Sequence, residues 1–352
     1  MATEAIFSSS LWSDDLPPEL AGLALRRLPS LADRVRFGAV CRHWSLAAQQ
    51  QAPTLPPALP WISGFCHNQV FVAVCHLRLY PGSAPLSFPS QVFQSFPDGE
   101  SHNLGLGTSS QSTPNMVCCG LSDNWLMLMS SVQQVNLLKN PLSGATIPLP
   151  GNCRSGHAFD CEVIQKFIVC SDDGLTVAMA TTDSPGYEDI AFHHGNIYGV
   201  TKKGDLYKHD IGEDSGTGEP VVSYAKQVIT CGDTWFDLAR KQLFLVVSRG
   251  DLMLVKRNDT RSRYGRTSKP SAFEVFKADL EMSRWSEVSS LGDQVLFVSG
   301  MCSRAVSASS HYGNYLRGDR IYFTHHEIYC DTDHSRLCAT KSGVYDLRGT
   351  PT

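Results

Sequence analysis

After residue 60 the chain breaks into short apolar runs separated by turn signals. Runs such as W-L-M-L-M at 125–129, L-F-L-V-V at 243–247 and I-Y-F-T at 321–324 suit a strand and are too short for a core helix. Between such runs lie H-G-N, K-K-G-D and S-R-G-D, whose Gly, Asp and Asn residues favour tight hairpin turns. The pattern therefore predicts an all-β region built from many hairpins.

One of these hairpins recurs along the chain. I-Y-G-V-T-K-K-G-D-L begins at Ile197 and L-F-L-V-V-S-R-G-D-L begins at Leu243, an offset of 46 residues. A strand–turn–strand unit that recurs every ~40–50 residues is typical of β-propeller blades. The roughly 290 residues after position 60 would hold about six blades, or seven if some are short.

The N-terminal region has a helical period instead. Leu20, Leu23, Ala24 and Leu28 follow the spacing of one helical face, and the preceding Pro17 suits a first turn. Apolar residues at helical spacing then continue to about residue 51. The sequence therefore predicts three helices within residues 12–52.

The ends of these helices are marked by their own signals. Asp14 and Asp15 are expected to cap the first helix, Pro29 to end it and Ser30 to cap the second. Because about forty residues make a small independent core, we expect the helices to pack on another part of the chain. The Pro-rich stretch at 53–60 is predicted to be a stiff linker.

Composition excludes several classes of protein. A net charge of −4 with 18% charged residues gives no basic field for nucleic acid. No apolar run approaches the ~20 residues that span a bilayer, and the first residues lack the pattern of a signal peptide. The 12 cysteines are scattered, without any C-x-x-C pair. We expect a soluble intracellular protein in the nucleus, the cytoplasm or both, with buried thiols and with no nucleic-acid or membrane partner.

The sequence shows no pattern of a catalytic site. It contains no G-x-S-x-G, no phosphate-binding loop and no H-E-x-x-H. The densest group of metal-ligating residue types, T-H-H-E-I-Y-C-D-T-D-H at 324–334, matches no zinc spacing. A propeller enzyme would need acids or histidines gathered at the central channel, and no such gathering is visible. We expect no catalytic residue, no metal and no cofactor.

A basic segment is the first choice for contact with a target protein. Residues 256–269 carry six positive charges and one acid. Such runs are commonly solvated loops, but long loops of a propeller are also where binding usually resides. The residues that we expect to contact a target are Arg257, Arg261, Arg263, Tyr264 and Arg266.

The N-terminal segment resembles the F-box, the helical motif that docks on the Skp adaptor of a cullin ubiquitin ligase. The matching residues are L-P-P-E-L at 16–20, L-R-R-L-P-S-L-A-D-R-V-R-F at 25–37 and V-C-R-H-W at 40–44. The remainder is similar to the KIB-type, kelch-like C-terminal domain of plant F-box proteins. The similarity is carried by N-P-L-S-G-A-T-I-P-L-P at 140–150, D-I-A-F-H-H-G-N-I-Y-G-V at 189–200 and L-R-G-D-R-I-Y-F-T at 316–324.

This resemblance implies an α+β multidomain protein. A small three-helix F-box would occupy residues 12–52, a linker 53–60 and an all-β, propeller-like domain 61–350. The resemblance further implies the non-catalytic substrate-recognition subunit of a Skp–cullin–F-box E3 ubiquitin ligase. Its partners would be a Skp-type adaptor, a cullin reached through that adaptor, and an unknown protein substrate bound by the propeller. The residues implied for holding the helices together or for contacting the adaptor are Leu16, Pro17, Leu20, Leu23, Leu28, Leu31, Val35, Val40, Cys41 and Trp44.

Two departures leave an alternative open. Related sequences usually carry a larger aliphatic residue at Ala21 and often at Ala24; trimming Leu to Ala loses about 2 kcal/mol of burial, more than tenfold in affinity. Family members also usually continue into another strand after G-V-Y-D-L-R at 343–348, so closure of the ring is left open. The alternative is a non-catalytic propeller scaffold with a weakened or vestigial F-box.

Overall fold

The computed structural model describes the chain in eighteen segments. They are residues 17–55, 58–60, 62–63, 92–94, 101–103, 116–122, 125–130, 136–140, 144–149, 164–170, 177–181, 186–218, 220–232, 241–258, 272–300, 302–309, 316–330 and 336–349. Three α-helices come first, Pro18–Arg27 (α1), Leu31–Gly38 (α2) and Arg42–Gln51 (α3), and a short 3-10 helix follows at Ala52–Thr54. None of the helices in these segments has the length and apolar character needed to cross a bilayer.

The ends of the helices follow from their sequences, with one exception. The Ser30 hydroxyl accepts the Ala32 backbone N–H at 3.1 Å and so caps α2 as predicted. Cys41 caps α3, because its Sγ accepts the Trp44 backbone N–H at 3.5 Å. The start of α1 differs from the prediction. Its N-cap is Pro17, which makes no side-chain hydrogen bond, and the predicted caps Asp14 and Asp15 lie outside the described residues.

Every other element in the described segments is a β-strand. The strands are Ile62–Ser63 (β1), Val92–Gln94 (β2), Ser101–Asn103 (β3), Met116–Ser122 (β4), Trp125–Ser130 (β5), Asn136–Lys139 (β6), Thr146–Leu149 (β7), Ile164–Val169 (β8), Val177–Thr181 (β9), Tyr187–His193 (β10), Asn196–Thr201 (β11), Leu206–Glu213 (β12), Pro220–Val222 (β13), Lys226–Ile229 (β14), Lys241–Ser248 (β15), Asp251–Asn258 (β16), Ala272–Asp279 (β17), Arg284–Glu287 (β18), Gln294–Val298 (β19), Ser303–Ser307 (β20), Arg320–Cys330 (β21) and Arg336–Asp346 (β22). The predicted order of three helices followed by an all-β, propeller-like domain is confirmed.

The strands form fewer complete blades than predicted. Four of the described sheets have four or five strands: β4–β7, β10–β14, β15–β18 and β19–β22. The first three are antiparallel meanders, with β14 as an additional partner of β12, whereas the last has the order β20-β19-β21-β22 and pairs β19 with β21 in parallel. Strands β1–β3 and β8–β9 form smaller sheets. The structure thus indicates four blades among the described residues, and the prediction of about six or seven was wrong.

The spacing of equivalent turns explains part of the wrong count. His194–Gly195 and Arg249–Gly250 are two-residue turns whose residues have φ of 46° and 75°, and of 51° and 79°. Each joins the first two strands of its sheet, and the glycines are 55 residues apart. The 46-residue repeat instead aligns Gly204, between the second and third strands, with Gly250. It therefore compares hairpins at different places in their blades and gives too short a period.

Strand β15 shows how the sheets pack against one another. Leu243 and Leu245 belong to a hydrophobic cluster shared with β10–β14, whereas Phe244 and Val246 belong to one shared with the last sheet. Because successive side chains of a strand point to opposite faces, the run L-F-L-V-V is apolar on both sides of a strand buried between two sheets.

The helices are packed on the β-domain. Leu31 and Ala32 of α2 belong to one hydrophobic cluster with Leu126 and Leu128 of β5 and with Cys302, which directly precedes β20. The cluster therefore joins α2 to both the first and the last four-stranded sheets. The expectation that the helices pack on another part of the chain is confirmed.

The predicted linker is also held against the protein at its end. Leu59 forms a bridge with Ser30, and its backbone N–H donates to the Pro29 carbonyl at 2.7 Å. The Leu59 side chain is buried in a cluster with Val295 and Phe297 of β19. The helices and the β-domain are thus joined by packed contacts as well as by the chain.

Candidate functional site

Helix α1 has one buried apolar face and one exposed apolar face. Ala21 and Leu25 point inward, where they pack with Phe37, Ala47 and Ala48. Leu20 and Leu23 lie on the opposite face and are 51% and 56% exposed, with Ala24 exposed beside them. We call Leu20, Leu23 and Ala24 the α1 apolar face. Residues three and four apart on a helix are neighbours, so these side chains form one continuous surface.

Exposed apolar residues also occur on the neighbouring helical elements. Val40, which follows α2, and Leu46 of α3 are exposed, and so is Pro17 at the start of α1. Arg26 and Arg27 at the end of α1 are exposed as well and add positive charge. Single exposed apolar residues are normal on a soluble protein, but a group of them on one small helical unit indicates a surface for a partner.

Other residues predicted for adaptor contact have structural roles here. Leu28 and Trp44 pack against the core of the helical unit, and the Trp44 ring stacks on Phe37 with centroids 4.5 Å apart. Leu31 and Val35 pack toward β5. Leu31 is fully covered by this chain, so it presents no face to a partner.

The remaining two residues predicted for adaptor contact are Cys41 and Leu16. Cys41 caps α3, as described above. Leu16 lies outside the described residues. The structure therefore brings only Pro17, Leu20, Leu23 and Val40 of the predicted set to the exposed surface.

A buried arginine that sequence analysis did not single out fixes the turn between α1 and α2. The Arg34 Nε donates to the Leu28 carbonyl at 2.9 Å, and the side chain is among the largest that are fully buried. A buried cation is costly unless it is hydrogen-bonded, so this contact holds the end of α1 in one position. The helical period alone did not distinguish Arg34 from the exposed arginines on either side.

The predicted target-binding segment starts inside the protein. Arg257 of β16 is buried, its Nη1 donates to Gln242 Oε1 at 3.0 Å, and its guanidinium lies 5.2 Å from the centroid of the Phe323 ring. The structure therefore assigns Arg257 to packing between sheets rather than to contact with a partner. The other predicted contacts lie outside the described residues: Arg261, Arg263, Tyr264 and Arg266.

A buried polar group that no sequence pattern indicated joins strands of different sheets. Lys166 of β8 and Asp189 of β10 form an ion pair, and Ser303 of β20 lies within hydrogen-bond distance of both. Burial raises the pKa of the Asp189 carboxyl, while the Lys166 ammonium and two backbone N–H donors oppose that shift. The residues lie on three strands that are far apart in the sequence, so only the fold brings them together.

Ligand chemistry is limited in the part of the chain that the structure describes. No group of three or more His, Cys, Asp or Glu side chains is placed there to hold a metal ion. In the 324–334 segment, which is rich in metal-ligating residue types, His325, His326, Glu327 and Cys330 belong to β21, and residues 331–334 lie outside the described residues. Among the described residues, exposed large apolar side chains include Leu20 and Leu23 of the α1 apolar face and Val221 and Val222 of β13.

Comparisons with known proteins match this architecture. The family model of the KIB1-4 beta-propeller matches residues 93–346. The Arabidopsis thaliana protein named "Putative F-box protein At3g25750" is 24% identical over 347 residues, covering 90% of this chain and 88% of that protein. F-box protein At2g26160 of the same plant is 23% identical over 337 residues, covering 89% of this chain and 95% of that protein. These relatives support a plant F-box protein with a propeller domain; the kelch-like description remains a prediction.

One solved structure has a distant similarity. The N-terminal domain of Nup159 aligns with 73% of this chain and 55% of its own, at 8% identity and a TM-score of 0.24. A similarity of this size supports no conclusion about the fold or the function.

Proposed function

The chain belongs to the KIB1-4 β-propeller family, and on this premise we propose that it is the substrate-recognition subunit of a Skp–cullin–F-box ubiquitin ligase. In this proposal the helical unit binds a Skp-type adaptor, the adaptor binds a cullin, and the propeller binds a target protein. The chain acts in the nucleus, the cytoplasm or both, and supplies no catalytic group. The relatives named as F-box proteins support this assignment over nearly their whole length.

The observation that carries the proposal is the exposure of Leu20 and Leu23. These side chains occupy the part of the chain that resembles the F-box, and the described residues leave about half of each one exposed. Burying a leucine side chain contributes about 1.5–3 kcal/mol. Both side chains are already about half covered, so a partner that covers them completely would gain about 1.5–3 kcal/mol from the two together. The rest of the free energy of micromolar binding, which is about 8 kcal/mol, would come from the other exposed residues of the helical unit.

The contact between helices and β-domain supports the mechanism of proximity. An adaptor subunit works by holding a target near a ubiquitin-charged enzyme, and this effect falls when the connection is flexible. Here α2 packs on β5 and Leu59 packs on β19. The helical unit and the propeller would then hold adaptor and target in a defined relative position.

Co-purification with a Skp adaptor tests the proposal. The wild-type chain is mixed with purified Skp adaptor, next to Leu20→Asp on the α1 apolar face and Leu280→Asp in the exposed turn between β17 and β18. Both variants replace an exposed leucine by the same charged residue, so the comparison separates the effect of the position from the effect of the added charge. We expect the wild type and Leu280→Asp to retain the adaptor and Leu20→Asp to lose it. Absence of adaptor with the folded wild type rejects the ligase function.

Ala24 favours a second candidate, the propeller scaffold with a weakened F-box. It lies on the exposed face, where a larger aliphatic residue would contribute about 2 kcal/mol more to the contact with an adaptor. Ala21 does not support this alternative in the same way, because it is buried in the helical core. The same co-purification separates the candidates: a scaffold would bind protein partners through the propeller and recover no adaptor.

A further inference from the structure

Strand β12 extends past the sheet to which it belongs. Its residues 206–210 pair with β11, whereas Ile211–Glu213 pair on one side only, with Pro220–Val222 of β13. We call residues 211–213 and 220–222 the β12–β13 ribbon. Ile211 packs against the cluster of buried residues that contains Tyr187 and Ile197, which holds the base of the ribbon on the sheet.

The outer edge of β13 is open in the described part of the chain, because β13 is the last strand of its row. The Ser223 backbone N–H donates to the Asp210 carbonyl at 2.9 Å, which makes Asp210 and Ser223 a hydrogen-bonded pair. Bonded and non-bonded pairs alternate along an antiparallel ladder, so Ile211 and Val222 form a non-bonded pair. The N–H and C=O of Val222 therefore point away from β12, toward the open edge.

Apolar side chains accompany these unpaired backbone groups. Val221 and Val222 are 47% and 49% exposed, and the nearby Tyr224 is 100% exposed. Natural proteins usually protect such an edge with lysine, with a bulge or with a covering element, because an open apolar edge pairs with other strands. Within the described residues the β12–β13 ribbon carries no lysine, bulge or covering element; β13 is short and begins with Pro220, but neither feature blocks the N–H and C=O of Val222, which stay available to a partner.

The charge of this region restricts the partner. Residues 209–225 include the acids Asp210, Glu213, Asp214 and Glu219 and contain no lysine or arginine. Asp210 pairs with Lys208 at 2.7 Å, whereas Glu213 and Asp214 are exposed. The Asp214 carboxylate accepts the backbone N–H groups of Gly216 and Thr217, which lowers its pKa and keeps it charged. The tip of the ribbon is therefore negative at neutral pH.

We propose that β13 binds an extended peptide segment that carries lysine or arginine between β-branched residues and that adds to the sheet as a further strand. Hydrogen bonds to the outward N–H and C=O of Val222 give affinity, and Glu213 and Asp214 select a basic segment over an acidic one. This inference rests on the part of the proposed function that assigns target binding to the propeller. It does not depend on the adaptor.

Peptide binding to the full-length chain tests the inference. The probes are two fluorescein-labelled octapeptides, one of alternating Lys and Val and one of alternating Glu and Val, and the readout is fluorescence anisotropy at low salt. We expect saturable binding of the Lys-Val peptide and binding of the Glu-Val peptide that is at least tenfold weaker. Absence of saturable Lys-Val binding, or equal affinity for both peptides, overturns the proposal.

Two substitutions of Val222 separate the contribution of its backbone N–H to peptide binding from the contribution of its side chain. Val222→Pro removes the outward N–H but leaves the ladder between β13 and β12 intact, because this N–H forms no hydrogen bond to β12. Val222→Thr keeps the N–H and changes only the side chain. We expect Val222→Pro to weaken Lys-Val binding at least tenfold and Val222→Thr to change it less than threefold. Equal binding by wild type and folded Val222→Pro contradicts the assigned edge.

A charge variant keeps the proposal testable if Val222→Pro does not fold. Glu213→Lys changes an exposed residue and should weaken Lys-Val binding at least threefold without weakening Glu-Val binding. Self-association that Val222→Pro abolishes, without peptide binding by the wild type, would assign the edge to a second copy and overturn the proposal. These assays contain no adaptor, so a failed Skp co-purification leaves their result unchanged.

Discussion

The Lys166 ammonium lies 2.5 Å from the Asp189 carboxylate, and both side chains are buried between strands β8 and β10. The other oxygen of Asp189 accepts the Leu245 backbone N–H on β15 at 2.7 Å and faces the Ser303 hydroxyl on β20 at 3.4 Å. One ion pair thus links four sheets of the propeller. Because its polar atoms are satisfied by several strands at once, the pair fixes how those strands meet.

Asp189→Asn should destabilise the protein strongly. The substitution leaves the Lys166 charge buried without its counter-charge, which costs about 3–5 kcal/mol in the free energy of unfolding. The matched control is Asp251→Asn, which breaks an exposed pair with Lys277 and should cost less than about 1 kcal/mol. Urea unfolding of both variants measures the difference. Equal losses would show that the buried pair contributes no more than a surface pair.

The local features of the fold could be predicted from the sequence. The turn at Arg249–Gly250 follows from S-R-G-D between two apolar runs, and the cap at Ser30 follows from its place before a helical period. Both depend on residues close in sequence. The contact of Asp189 with Lys166 could not be predicted, because no local sequence pattern shows whether a polar residue in a strand is buried and paired or exposed to solvent.

The residues of the adaptor-binding site could be predicted only in part, because their exposure also depends on contacts that are distant in the sequence. A helical period identifies an apolar side chain on α2 but does not tell what covers it, and the structure places Leu31 against β5 while Leu23 on α1 remains exposed. The blade count failed in part because the 46-residue repeat joins hairpins from different places in two blades, and in part because strands β1–β3 and β8–β9 form smaller sheets. The β12–β13 ribbon was missed, although P-V-V-S-Y after an acidic, glycine-rich stretch is a visible signal.

Leu31→Ala should affect the stability of the protein, whereas Leu23→Ala should affect its binding to the adaptor. Leu31 is buried between α2 and β5, so its truncation leaves a cavity and should lower the free energy of unfolding by about 2–5 kcal/mol. Leu23 is exposed, so its truncation should change stability by about 0.5 kcal/mol or less but should weaken adaptor binding about tenfold. Urea unfolding and calorimetric titration with the Skp adaptor measure the two effects. Loss of adaptor affinity in folded Leu31→Ala alone would contradict these assignments.

The two alanines of α1 should also respond differently to enlargement. Ala24→Leu enlarges the α1 apolar face and should strengthen adaptor binding about tenfold with little change in stability. Ala21→Leu forces a larger side chain between α1 and α3, beside Ala47 and Ala48, and should cost about 1–3 kcal/mol of stability. Thermal unfolding and adaptor titration of both variants provide the test. Stronger adaptor binding by Ala21→Leu would place that residue on the contact surface after all.

Tyr187 should make the protein less stable at alkaline pH. Its hydroxyl is hydrogen-bonded to His209 Nε2 at 2.8 Å, and burial raises its pKa to about 12 from an ordinary value of about 10. Below about pH 10 the phenol is neutral in both the folded and the unfolded chain, so the full stabilisation is present. Between these two values the unfolded chain loses the proton first, which favours unfolding, and the stability falls as the pH rises.

Tyr187→Phe isolates this effect from the other alkaline groups, which both proteins share. The variant should be less stable than wild type at pH 9 by about 1 kcal/mol, because it lacks the hydrogen bond to His209. From pH 9 to pH 11.5 its free energy of unfolding should decline less steeply, so the difference between the two proteins narrows. Urea unfolding at several pH values in this range gives both slopes. Parallel slopes would mean that the Tyr187 hydroxyl ionises alike in the folded and the unfolded chain.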